Sequence, residues 1–184
     1  YTGSFSYMFF ANDDDTSTPD AESFFRNVSV YENTAEPISV SAEIIDFAVS
    51  DFSSYAGQDR TTNIFDVTDR TELHIAGNSW KSMDFDYVVT GNTYVQLDYK
   101  TVVQGEIQGL VFLEQGSSSH SNSEIIRFDG SQNYSNSAAK LYTETAGTWQ
   151  TITVKLSDYN ALGDQIDSLV FANDDDNGQT GEAL

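Results

Sequence analysis

Apolar and polar residues alternate through nearly the whole chain, and no stretch carries a helical period. In residues 94–100, Val95, Leu97 and Tyr99 fall on one face and Gln96, Asp98 and Lys100 on the other. Ile152, Val154 and Leu156 line up the same way. This pattern, rich in β-branched and aromatic residues, predicts strands at 4–11, 24–32, 41–47, 63–67, 72–76, 82–88, 94–100, 107–113, 124–128, 149–156 and 167–172. Clusters of Gly, Ser, Asn and Asp between them suit turns. Many short strands parted by turns predict an all-β fold, a two-sheet antiparallel β-sandwich of jelly-roll type. At 184 residues, one domain has ample material for a core.

The hexapeptide "FANDDD" occurs twice, at 10–15 and at 171–176, so the copies lie 161 residues apart. The likeness extends backwards in apolar pattern, matching Phe5 with Ile166, Met8 with Leu169 and Phe9 with Val170. It extends forwards too, "AES" at 21–23 paralleling "GEA" at 181–183 once one gap is allowed. The first copy then runs on into "FFRNVSVYE", whereas the second reaches Leu184 opposite Phe24. The expected organisation is therefore an N-terminal arm, 1–36, and a sandwich body, 37–184, lacking its final strand. Residues 33–37, "NTAEP", are the expected linker.

Self-similarity at a fixed period marks arrays, and an open sheet edge recruits strands. Two outcomes follow: one period of a longer tandem polypeptide, or separate subunits joined head to tail. In the second, Phe25, Val28, Val30 and Tyr31 would carry the strand that completes a neighbouring copy. A contact of that kind does not close, so it builds a filament. The arm also carries residues 4–11, whose counterpart the body already holds. The plainer alternative is an ordinary module from a multidomain chain.

Charge narrows the partners. Asp and Glu number 29 against 8 Lys and Arg, a formal net of −21. Such a surface repels nucleic acid and anionic membranes, and no apolar run is long enough to span a bilayer. With no cysteine, neither disulfides nor thiolate metal sites are available. Sequons at Asn27 and Asn133 permit glycan attachment in a secreted protein.

The acidic loops are the candidate metal ligands. Calcium takes six to eight hard oxygens, and three adjacent carboxylates repel one another without a cation. Asp13, Asp14 and Asp15 with Asp20 or Glu22 form one expected site; Asp174, Asp175, Asp176 and Glu182 form the other. A solvated turn is the competing reading. His74, alternating with Leu73 and Ile75, is expected to face solvent, and His120 to lie in a loop. No nucleophile elbow, HExxH or P-loop is present, so no catalytic residues are assigned.

The segments "GNSWKSMDF" (77–85), "GEIQGLVFLE" (105–114) and "VFANDDD", with an "FxNVxVYE" strand to follow it, are similar to a module type of extracellular multidomain proteins of aquatic bacteria. Such modules stand beside adhesive repeats or polysaccharide-active enzymes. The resemblance covers 38–184, with 24–32 supplying the final strand out of order. It implies an extracellular or cell-surface jelly roll, calcium, and kinship with carbohydrate-binding modules. Trp80, Glu106 and Tyr134 are the expected sugar contacts. The leading expectation is a structural fibre or adhesin unit whose partners are copies of itself; the alternative is a non-catalytic binder of polysaccharide.

Overall fold

A computed structural model describes residues 4–13, 22–32, 43–60, 65–68, 70–132, 140–159, 165–174 and 182–183. Its strands are β1 (Ser4–Asp13), β2 (Glu22–Glu32), β3 (Glu43–Ile44), β4 (Phe52–Ser54), β5 (Phe65–Thr68), β6 (Glu72–Ala76) and β7 (Ser79–Tyr87). They continue as β8 (Thr93–Thr101), β9 (Ile107–Glu114), β10 (Ile125–Asp129), β11 (Gln150–Lys155), β12 (Ile166–Asp174) and β13 (Glu182–Ala183). The expected two-sheet all-β sandwich is what forms.

The first sheet runs β10–β9–β12–β1–β7–β4. The second is built on β11, β8, β2 and β6, with β5 beyond β6. Ser29 pairs with both Gln96 of β8 and Ile44 of β3, so β3 prolongs the side of β2 that β6 occupies. Strict period-2 burial along β8 sends Val95, Leu97 and Tyr99 inward. They meet Phe25, Val28 and Val30 of β2 in one core with Phe128, Phe171 and Trp80. β9 is buried on both faces from Ile107 to Leu113, which explains its continuous apolar reading. Gly109 is needed there because a Cβ would lie 2.3 Å from the Ile126 carbonyl oxygen.

The arm is not set apart from the body. β1 and β2 are strands of the two sheets of the same chain, and Phe25 is fully buried. The linker residues 33–37 lie outside the described residues.

Candidate functional site

Between β6 and β8 the second sheet has one gap, and two segments address it. β2 enters with Glu22 opposite Ala76, and with Ser23 opposite both Ile75 and Thr101. β13 enters with Glu182 opposite Ala76, and with Ala183 opposite both Ile75 and Thr101. The addresses are identical residue for residue. A strand edge has one set of N–H and C=O groups and bonds one neighbour at a time, so occupancy is exclusive.

The first sheet repeats the coincidence. β1 and β12 run parallel, Phe10 opposite Phe171, Ala11 opposite Ala172 and Asn12 opposite Asn173. Phe10 has Phe25 at 4.4 Å and Phe47 at 5.6 Å between ring centroids. Phe171 has the same two rings at 5.6 Å and 5.7 Å. Phe10 and Phe171 themselves lie ring on ring, 15° from coplanar. Sequence similarity between the copies thus becomes register: equivalent residues lie opposite each other in the first sheet, 161 apart, and share partners in the second, 160 apart because of the single gap.

On reaching the gap, β2 engages both faces of β8. Inward, the buried Tyr99 hydroxyl donates to Ser23 Oγ at 2.8 Å and lies 2.8 Å from Thr101 Oγ1. Burial pushes the Tyr99 pKa well up, so it stays a neutral donor. Outward, Asp98 accepts from Asn27 Nδ2 at 2.9 Å and from Thr151 Oγ1 at 2.6 Å, and pairs with Arg26 Nε at 3.5 Å. Partial burial alone would raise the Asp98 pKa, but the bonds from Thr151 and Asn27 and the Arg26 charge bring it below the usual carboxylate value. Lys100 Nζ sits 3.3 Å over the Phe24 ring and 4.7 Å from the Trp149 centroid, while the Arg26 guanidinium lies 4.0 Å over Trp149. His74 stacks on Phe24 at 5.6 Å. It is half-buried rather than solvent-facing, and burial, then the Lys100 charge, brings its pKa down to about 3.

The assembly residues Phe25, Val28 and Val30 are all buried in this gap, and Tyr31 pairs with Tyr94. Asn27, the first sequon, sits exposed at a bulge with φ 55°, its amide held by Asp98. Asn133 and Tyr134 lie outside the described residues, as do Asp14, Asp15, Asp20, Asp175 and Asp176. Asp13 and Asp174 end β1 and β12 opposite each other, Asp174 buried; Glu22 and Glu182 share the Ala76 address. Among the described residues no group of three His, Asp or Glu side chains is placed to hold a metal.

Neither Trp80 nor Glu106 is available as a sugar contact: Trp80 is a core residue, as tryptophan in a sandwich commonly is, and Glu106 is buried. Trp80 is 1% exposed, stacked on His120 at 5.1 Å and on Tyr55 at 6.1 Å, so it offers no ring face to a ligand. Its strand, β7, turns it into the core. Glu106 is 3% exposed, and its carboxylate accepts from Gln132 Nε2 at 3.1 Å inside the fold, not from a sugar. His120 does lie in a loop, yet it packs against Trp80, accepts or donates at 3.0 Å with the Tyr55 hydroxyl, and is held by burial at a pKa of about 4. The described residues leave a surface cleft near Thr101, where Asp129 accepts from Gln104 and Lys140, both at 2.6 Å. Those bonds satisfy the acid internally.

The sequence analysis missed the Asp98–Tyr99–Lys100 reading of β2. A usable signal was present: the outward residues of 94–100 and of 24–27 are complementary in charge and aromaticity. Comparison with protein-family models, curated proteins and solved structures returns no match. Among the described residues no helix is long and apolar enough to cross a membrane.

Proposed function

We propose that this chain is a structural unit of an extracellular fibre or adhesin, as a subunit or a tandem repeat, joined head to tail by strand complementation. The observation that carries this reading is the double address: β2 and β13 pair with the same residues, Ala76, Ile75 and Thr101, in one gap. A chain with two claimants for one gap always has one to offer elsewhere, and the offered segment matches the gap of any identical copy. The high negative charge keeps units soluble until strands engage. The test is light scattering and negative-stain imaging of the purified chain across concentration. Head-to-tail oligomers growing with concentration are expected; monomers throughout would sink the reading.

Calcium belongs to the proposal through the sequence of the two acidic loops, which follow strand ends brought side by side at Asp13 and Asp174. A ligand that prefers the native state must stabilise it, by about 3 kcal/mol at a hundredfold excess over its dissociation constant. Melting with and without chelator measures this, and coincident curves would remove the metal. The carbohydrate-binding alternative gains no observation: Trp80 lies in the core, and Trp149 is covered by Arg26 and Lys100.

A further inference from the structure

We infer that the gap between β6 and β8 is a docking slot for the β2 segment of a second copy of this chain, that Tyr99 favours that segment over β13, and that Asp98 and Lys100 hold it on the outer face. This rests on the assembly reading above and adds the means of selection.

Three consecutive residues of β8 point outward, inward and outward, so together they inspect both faces of whatever strand enters. Tyr99 inspects the buried face. Its hydroxyl donates to Ser23 Oγ, but at the same register β13 presents Ala183, which has no oxygen to accept. With β13 in place, a fully buried phenol keeps only Thr101, and an unmatched buried polar group is destabilising. The Tyr99 ring also receives the edge of Phe25 at 5.0 Å, 64° between planes. Asp98 inspects the outer face and finds Arg26 and Asn27. Lys100 finds the Phe24 ring. Each residue therefore meets a matching group in β2, and at the Tyr99 register β13 brings an alanine where β2 brings a serine. For a chain this acidic, reserving a cation–π contact and an Arg–Asp pair for the docking strand also separates a true partner from any other acidic segment.

The chain has no cysteine, so a disulfide can report which strand is docked. Glu22 and Glu182 both face Ala76, and register partners lie within bridging distance. In the full chain carrying E22C, E182C and A76C, oxidation followed by peptide mass mapping gives the ratio of 22–76 to 76–182 bonds. We expect 22–76 in about tenfold excess, and adding S23A with D98N should cut that ratio about fivefold or more. Equal amounts, or more 76–182, would overturn the selection; an unmoved ratio would overturn the roles given to Asp98 and Tyr99. For the second copy, full chain bearing only E22C is refolded with isotopically heavy chain bearing only A76C. Light–heavy 22–76 bonds, increasing with concentration, are the expected result. Should these variants not fold, S29C and Q96C, register partners on partly exposed positions, replace them. Assemblies without light–heavy bonds would sink this inference alone, whereas the lack of any assembly by the parent chain would sink the reading beneath it.

Discussion

The two sheets meet the doubled segment on different terms. In the first, β1 and β12 bring the same Phe-Ala-Asn-Asp run to one place, and Phe10 and Phe171 share the neighbours Phe25 and Phe47. There the copies lie side by side, β1 on β7 and β12 on β9. In the second, Ser23 of β2 and Ala183 of β13 are set against the same two residues, Ile75 and Thr101. The first sheet seats both copies as neighbours, whereas in the second they share one address.

The largest test of this contrast is Phe25→Ala. Phe25 is fully buried among Phe10, Tyr99, Phe128 and Phe171, and its loss should remove about 3–5 kcal/mol in denaturant unfolding. A cost under about 1 kcal/mol would mean that β2 does not fill the gap. Next come Phe10→Ala and Phe171→Ala. Because the two rings pack on the same neighbours, each variant should cost about 3 kcal/mol or more and the double variant less than their sum. Strictly additive losses would show that the two copies do not share that cluster.

Acid should loosen both sheets by smaller steps. His74 in the second sheet and His120 against the first have folded pKa values of about 3 and about 4, both lowered by burial. An unfolded histidine binds its proton near pH 6.5, so below about 6.5 the unfolded chain takes up protons that the folded chain refuses, and stability falls with pH. Asp98 adds to the same trend. Its folded pKa is depressed, so its contribution is full above the unfolded carboxylate value and is lost as pH falls through the folded one. Melting temperatures from pH 7.5 to 3.5 should decline throughout, and His74→Gln should flatten the upper part of the decline. A flat profile for the parent chain would contradict the buried, neutral histidines. The smallest effect belongs to Lys100→Met, about 0.5–1 kcal/mol for a cation–π contact. Measured as unfolding free energy, it should shrink in a Phe24→Leu background to what the Trp149 ring supplies.

Much of this fold was legible because alternation survives wherever one face is buried. Residues 72–76 were predicted and form β6, and 94–100 lie within β8. Of the expected strand at 41–47, residues 41–42 lie outside the described residues and the strand ends at Ile44, because Ala48 N and Ser50 Oγ turn back onto Asp46. β4, Phe52–Ser54, was not expected: one apolar residue and two serines make no pattern. The duplication was legible as sequence and as the relation between arm and body, but not as a shared address, which requires knowing that β6 and β8 flank the gap. Nor could alternation assign Trp80 or Glu106, since it fixes which residues share a face and not which face meets the core.

Asn27 is the extra residue of a bulge: Arg26 opposes Asp98 and Ser29 opposes Gln96, leaving one position of β2 without a cross-strand mate. Its backbone takes φ 55°, a conformation asparagine accepts more readily than most, and its N–H donates to the Thr71 carbonyl at 3.4 Å. A segment threaded one notch too far or too short would carry that kink into regular ladder and turn Phe25 and Val28 to the wrong side. Were copies to join through this slot, every junction would seat at one depth, and a thread of such units would keep an axial spacing as uniform as the marks on a ruler.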